Sequence, residues 1–431
     1  MRILIVSDSP WRRDNSFGNT YSNRFSRIPE IEIAHVYTLG GTPDYEPNIK
    51  AYFQIPENQV IRSVLSRKVA PAGHVVRPDA EIPSTDSEKR QGSSYSKLLA
   101  FGKRHHWMSM FFAREAAWRM GKIDWDALLS FAKDFNPDIV FLPIFYTYYT
   151  NRIGLFLKRA LGVPMVLEIS MDYYTFKRLS FNPLFWIDRV FKRKMIRRLV
   201  SEASLMYVIS RKLKEEYEGI FDLPIKVLYK VPDPGRVSSS YQPKESGPLS
   251  FIYTGNLYAN RWKSLSLLAE ELAKTGAGIL DIYTATPVTS KMSKALSIKD
   301  VSFIHAPVSQ EEVIRIQNSA DVLVHVESFD YSNKLLVRYA ISTKVMDYLN
   351  TRRCILAIGP EDVASMEYLC DNDIALVAEN KKTLSGIIYS ISKDRSIVSR
   401  YARRCSDFVG SELDPNAINS DLLDDLKSLV C

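Results

Sequence analysis

Three short segments hold the residues best suited to chemistry. The first is Thr254-Gly255-Asn256-Leu257-Tyr258-Ala259-Asn260-Arg261-Trp262-Lys263, directly after the apolar run Leu249 to Tyr253. Gly255 permits close backbone approach, and Arg261 and Lys263 bring cations to the start of a helical pattern whose free N–H groups already favour anions. A diphosphate fits such a loop, and so does a plain tight turn with surface cations. The second is Ser342-Thr343-Lys344-Val345-Met346-Asp347-Tyr348-Leu349, followed by Arg352 to Pro360. Ser342 or Thr343 can cap a helix, Lys344 lies in its first turn, and Asp347 follows Thr343 by one turn, where a carboxylate can accept two hydrogen bonds from a ribose diol. The third is Leu167-Glu168-Ile169-Ser170-Met171-Asp172-Tyr173-Tyr174, which puts the carboxylate of Asp172 just beyond a β-like run.

The elements that must position these segments alternate. Short runs rich in β-branched residues recur between stretches of helical period, the signature of parallel sheets in α/β layers. In the first half the strands read Arg2 to Ser7, Ile31 to Thr38, Asp138 to Leu142, Pro164 to Ile169, Ser204 to Ile209 and Ile225 to Tyr229. In the second they read Leu249 to Tyr253, Ile279 to Tyr283, Val301 to Ile304, Asp321 to Val326, Cys354 to Ile358 and Ile374 to Ala378. Ser309 with Glu312 three residues on is a capping-box signature for the helix running toward Asn318, and Pro360 reads as the start of another. Residues 41–94 are polar, proline-bearing and weakly periodic, and read as an insertion. Residues 232–248 collect proline, glycine and serine as a linker. The chain therefore divides into a first domain over 1–231, a second over 249–400, and terminal helices over 401–431 that can cross back to the first. In such sheets ligands gather beyond the carboxyl ends of the strands, where all three segments lie.

A chain of 431 residues with 46% apolar composition exceeds what one core usually organises, in keeping with two domains. Four scattered cysteines form no metal-ligand or redox spacing, which points to a reducing, cytoplasmic setting. Met1 to Ser7 reads as a first strand and not a signal peptide, and no apolar run reaches the roughly 18 residues of a membrane span. The net charge of +8 is uneven: residues 1–231 carry 35 Lys and Arg against 24 Asp and Glu, the remainder 22 against 25. Its densest part is 177–198, where Arg189, Lys192, Arg193, Lys194, Arg197 and Arg198 alternate with large apolar residues. That pattern suits a helix on an anionic membrane surface. It suits equally a solvated basic face over a core-facing stripe. No nucleic-acid reader motif accompanies the charge, so nucleic acid is not an expected partner.

Order and spacing together carry a resemblance. Ser-Thr-Lys-Val-Met-Asp-Tyr-Leu (342–349) with Cys-Ile-Leu-Ala-Ile-Gly-Pro (354–360) is similar to the "S-x-K-hydrophobic-x-E-Y-L … P-I-L-A-x-G-P" segment of bacterial GT-B glycosyltransferases, in the broad group with glycosyltransferase family four. Thr254-Gly255-Asn256-Leu257 resembles that group's "G-R/N-L … K" loop, and Val308 through Val324 its "V-x-x-E-E … A-D-V-L-V" stretch. Phe135 to Val140, Gly162-Val163-Pro164 and Ala203 to Ser210 resemble its "x-P-D-I-V", "G-V-P" and "A-D-x-V-x-x-x-S" signposts. The resemblance spans nearly the whole chain in short pieces. It implies two doubly wound Rossmann-like domains facing a cleft, with a nucleotide-sugar donor in the second and a saccharide or lipid-linked acceptor in the first, as in cell-surface polysaccharide or glycan biosynthesis.

Carried across, the resemblance assigns the donor ribose to Asp347, where the group usually has Glu. It assigns the diphosphate to Lys344, Arg261 and Lys263, with Gly255, Asn256, Ser342 and Thr343 beside them and no metal or other cofactor required. The group's Glu-x7-Glu pair is not intact, since Tyr339 stands eight residues before Asp347, and Glu327 is the nearest upstream carboxylate after the Asp321 run. Asp172 becomes the candidate acceptor contact or general base, without a histidine beside it. Gly18 and Asn19, in Ser16-Phe17-Gly18-Asn19-Thr20, resemble the group's glycine loop by the acceptor. Asp124-Trp125-Asp126 and Asp371-Asn372-Asp373 fit a metal-binding Asp-x-Asp pattern but sit at helix boundaries, where turns and caps account for them. His105 and His106 fall in an aromatic helical stretch and read as packing residues. Two other readings share the fold: a sugar-nucleotide epimerase, disfavoured by the few histidines, and a non-catalytic nucleotide-sugar-binding subunit, which the altered Glu pair keeps open.

Overall fold

The computed structural model describes residues 1–76, 108–230, 241 and 246–430. Two sheets organise them. The first contains β1 (Arg2–Val6), β2 (Glu32–Tyr37), β3 (Ile49–Gln54), β4 (His74–Val76), β5 (Ile139–Pro143), β6 (Met165–Ile169), β7 (Leu205–Val208) and β8 (Ile225–Val227), in the order β4-β3-β2-β1-β5-β6-β7-β8. Its pairs are parallel except β3 with β4. The second is parallel throughout and contains β9 (Leu249–Thr254), β10 (Gly278–Tyr283), β11 (Ser302–His305), β12 (Val322–Val326), β13 (Cys354–Ile358) and β14 (Leu376–Ala378), in the order β11-β10-β9-β12-β13-β14.

Burial on both faces explains why the strands read as unbroken apolar runs. Along β1, Ile3 and Ile5 join one core cluster with Tyr21 and Phe25, while Leu4 and Val6 join another on the opposite face. Along β12, Val322, Val324 and Val326 face one way and Leu323 the other. The strand order reverses beside β1 and β5 in one sheet and beside β9 and β12 in the other, so each sheet opens a crevice at those strand ends.

Residues 41–76 are a correction to the sequence reading: they are not an insertion but supply β3, the helix Glu57–Leu65 and β4 to the first sheet. The prolines that broke the pattern lie outside these elements, Pro47 ahead of β3 and Pro56 at the N-cap of the helix. Only Ile49, Tyr52 and Phe53 of β3 are buried, and a register shift opposite Ile33 and Ala34 blurs the alternation further. Residues 77–94 of that segment, His105, His106 and most of the linker 232–248 lie outside the described residues. The helix expected from Pro360 begins at Ala364.

Among the described residues the two halves meet at several points, the last helix and Tyr339 among them. The last helix, Pro415–Lys427, buries Leu422, Leu423 and Leu426 in the core cluster of Ile3 and Ile5. Its Asp425 accepts a hydrogen bond from the Tyr207 hydroxyl at 3.0 Å and pairs with Lys226. From the second half, Tyr339 is buried in the first sheet's core and donates its hydroxyl to Glu216 at 2.8 Å, while Ser210 Oγ donates to the Tyr339 carbonyl at 2.6 Å. The residue standing where the resemblance leads one to look for a glutamate is therefore a strut between the two halves.

Candidate active site

The loop after β9 and the loop after β12 leave adjacent strands, and their side chains meet. Arg261, first residue of the helix Arg261–Thr275, donates to Glu327 through Nε at 3.1 Å and through Nη2 at 3.0 and 3.2 Å. Its remaining Nη1 donates to Asn256 Oδ1 at 3.1 Å. Ala259 and Asn260 both take left-handed backbone conformations, with φ of 55° and 59°, to turn the chain into that helix. Such conformations cost a non-glycine residue free energy and persist where the surroundings impose them.

Lys344 enters the same space from the helix Thr343–Asn350. It is half-buried, its ammonium stands 5.0 Å from the centre of the Tyr253 ring, and among the described residues it forms no hydrogen bond or ion pair. Gly255 makes room for it: a Cβ there would lie 1.7 Å from Lys344 Nζ. Burial, and then the nearby Arg261 charge, lower the Lys344 pKa to about 8. A cation so placed is stabilised by an incoming anion. Ser342 occupies the N-cap but its side chain makes no capping bond, and Thr343 opens the helix behind it. The first-turn amides therefore lack the side-chain acceptor the sequence reading supplied, an arrangement that favours a bound anion.

Beside the cations, Asp347 Oδ1 accepts from Lys230 Nζ at 2.5 Å, an ion pair between the two halves that the sequence did not reveal because the partners lie 117 residues apart. Glu327 is buried, and burial raises its pKa against the opposing pull of Arg261. Both its oxygens accept from Arg261, so it orients that guanidinium. His325, two residues earlier, is buried and held neutral, with its pKa lowered to about 3 by burial and by the cations Arg261 and Lys344. Lys263 is likewise engaged by a carboxylate. Its ammonium is held by Asp330 at 2.9 and 3.0 Å, and Asn260 Nδ2 donates to the same carboxylate at 2.6 Å. Like Arg261, Lys263 reaches the loop after β12, where Arg261 meets Glu327 and Lys263 meets Asp330.

In the first domain the expected residues have structural work. The Asp172 carboxylate accepts from the Tyr174 and Thr175 amides at 2.8 and 2.9 Å, from Tyr217 at 3.0 Å, and from the Thr175 hydroxyl. With its lone pairs so engaged it holds its own loop, which argues against the general-base role. Gly18 is buried under the preceding loop, and a Cβ on it would lie 2.1 Å from the Arg12 carbonyl oxygen. It packs against that backbone. Asn19 Nδ2 donates to the Arg13 carbonyl at 3.5 Å. Shortly after the strands that open the β1–β5 crevice stand two residues that spacing did not single out, Asp8 after β1 and Tyr146 after β5, close enough for Asp8 to act on Tyr146. Tyr146 is partly exposed and receives a hydrogen bond at 3.4 Å from Arg114, which also donates to Tyr149 at 2.6 Å and to Glu57 at 2.6 Å. The position of Tyr146 beyond a switch-point strand was the available signal.

The remaining expectations fall on surfaces and caps. Asp124 accepts from the Ala127 amide at 2.9 Å as an N-cap, and Asp373 pairs with Arg404. Among the described residues no three His, Cys, Asp or Glu side chains converge as a metal site, and no helix is long and apolar enough to cross a membrane.

No family model matches the sequence, and no curated protein matches it by sequence. The fold does have counterparts. The Anabaena protein HepE, solved in complex with UDP, superposes over 100% of both chains with a TM-score of 0.62 at 12% identity. HepE in complex with UDP-glucose gives 0.62 at 11% identity over the same extent. Sucrose-phosphate synthase from Thermosynechococcus elongatus gives 0.64 at 9% identity, over 99% of this chain and 98% of that one. Two Rossmann-like domains arranged in this way define the GT-B fold, the architecture of the glycosyltransferases with which this chain superposes.

Proposed function

We propose that the protein is a glycosyltransferase that moves a sugar from a nucleotide-sugar donor to a saccharide or lipid-linked acceptor in cell-surface polysaccharide or glycan biosynthesis. The observation that carries this reading is the half-buried Lys344 ammonium, without an ion pair among the described residues, beside Arg261 at the switch point of the second sheet. Two cations and open helix amides in one crevice suit a diphosphate, and structures of this fold bind UDP or UDP-glucose. Negative charge accumulates on the departing nucleotide as the glycosidic bond breaks. Lys344, Arg261 and the amides of Thr343 and Lys344 would stabilise it from within the chain, with no divalent cation required. Asp347, oriented by Lys230, would accept hydrogen bonds from the ribose. Asn256 would exchange its contact with Arg261 for one with the donor.

The acceptor would sit at the β1–β5 crevice, where Tyr146 offers a ring for a sugar to stack on and Asp8 a carboxylate. The basic segment 177–198 would hold the protein at an anionic membrane surface on the cytoplasmic side. Its exposed residues Ile187, Val190 and Phe191 favour that over a basic face covering a core-facing stripe. The test is release of nucleoside diphosphate from a panel of nucleotide sugars, supplied with lipid extract or oligosaccharides as acceptors. One donor should be consumed, and Lys344→Ala should abolish most of that consumption. If every donor bound without turnover under all acceptor conditions, the non-catalytic nucleotide-sugar-binding subunit would replace this reading.

A further inference from the structure

The loop and helix at 176–198 carry more than scattered charge. Phe176, Leu179, Phe181, Ile187, Val190 and Phe191 are exposed, with Phe181 fully so. On the helix Pro183–Val200 the positions 187, 190, 191, 194 and 198 fall on one face, apolar in its first half and cationic in its second. At the root of this apolar tip two guanidiniums flank one ring: Arg178 lies 5.2 Å and Arg189 5.3 Å from the centre of Phe185. Arg189 is buried and donates to the Asp172 carbonyl at 3.1 Å. Arg178 forms no hydrogen bond or ion pair among the described residues, and burial together with the Arg189 charge lowers its pKa. The nearest acidic neighbour, Asp188, is committed to Lys192 at 2.7 Å and to the Tyr148 hydroxyl at 2.6 Å. Lys192 in turn stands 5.7 Å from the ring of Tyr173, in the loop that follows β6 at the crevice end of the sheet.

Arg189 is buried and Arg178 half-buried, both against the Phe185 ring, and like-charged guanidiniums near one another are stabilised by an anion with several acceptor oxygens; a phosphate matches the fork of an arginine. We infer that Arg178 and Arg189 bind the phosphate of a lipid-linked acceptor while the apolar tip at 176–191 lies among the lipid chains. This rests on the glycosyltransferase reading and selects the lipid-linked class of acceptor from the two that reading allows. The two guanidiniums stand at the root of the apolar tip, and Lys192 on the same helix stands against Tyr173 at the crevice end of the first sheet. A saccharide attached through that phosphate would then be carried toward Tyr173 and Tyr146.

The experiment is co-sedimentation of the full chain with vesicles of phosphatidylcholine alone, with added phosphatidylglycerol, or with an isoprenoid lipid phosphate at matched charge. Nucleoside-diphosphate thermal shift is read on the same samples. Wild type should sediment most with the isoprenoid phosphate. Arg178→Ala should lower that binding roughly fivefold, the effect of one basic residue at an anionic surface. Phe181→Ser, on a fully exposed side chain, should lower binding to all three vesicles. Both variants should keep the nucleotide response. Equal binding to the two anionic vesicles, or unchanged binding by Arg178→Ala, would overturn the phosphate site. Discrimination between vesicles without any nucleotide response would instead overturn the donor reading and leave the phosphate site standing.

Discussion

The two crevices of this molecule treat their polar residues differently. At the β9–β12 switch point, charge is assembled and left incomplete: Arg261 is aimed by Glu327, and Lys344 has a ring face but no hydrogen bond or ion pair among the described residues. On the first sheet the carboxylate singled out from sequence, Asp172, has its lone pairs filled by its own loop and by Tyr217. A site that must bind an anion keeps cations short of partners, whereas a loop that must only hold its shape satisfies every group. Residue type and position after a strand do not tell these apart. Hydrogen-bond satisfaction does.

The largest effect is expected at the buried Arg261–Glu327 pair. Glu327→Ala removes one partner of a buried ion pair and leaves Arg261 without its counter-charge, so unfolding free energy should fall by about 3–5 kcal/mol. Denaturant titration measures this, and an unchanged midpoint would show that Arg261 needs no orienting carboxylate. Lys344→Ala should act on binding instead of stability. It removes a charge-assisted contact worth about 1.5–3 kcal/mol, so nucleoside-diphosphate affinity should drop tenfold or more while the melting temperature of the free protein holds or rises.

Asp172→Asn sharpens the other side of the contrast. Losing part of a satisfied carboxylate network should cost about 1–3 kcal/mol of stability, with donor turnover by the folded variant otherwise retained. Turnover abolished in a fully folded Asp172→Asn protein would return Asp172 to the chemistry. The smallest expected effect is one of pH. Lys344 in the free protein is charged below about 8 and loses its proton as pH rises through that value. A bound diphosphate favours the charged form, so affinity should be highest below pH 8 and decline above it. In Lys344→Ala that portion of the decline should disappear.

Most of the fold was legible because doubly buried strands announce themselves. The runs at 2–7, 138–142, 249–253 and 321–326 each became a central strand within a residue or two. The strand β3 was not, because its core contacts come from Ile49, Tyr52 and Phe53 in an irregular pattern, flanked by prolines that read as loop. In the site, Gly255, Arg261 and Lys344 were legible from spacing after strands, and the structure brings them together. What spacing could not give was which charges would be neutralised. Lys263 is taken by Asp330, Asp347 is met by Lys230 from the other half, and Gly18 is fixed by the Arg12 backbone. Each outcome depends on a contact with another segment of the chain. Tyr339 shows the same limit: its sequence position suggested a lost donor contact, and its surroundings make it a connection between the halves.

Lys344, which has no ion pair among the described residues, is the residue on which donor binding depends most directly. Calorimetric titration of wild type and Lys344→Ala with UDP, then with GDP, dTDP, ADP and CMP, tests it without knowledge of the acceptor. One nucleotide should bind wild type and weaken at least tenfold in the variant. Equal affinity in both proteins for the nucleotide that binds would contradict the claim that this crevice is the donor site.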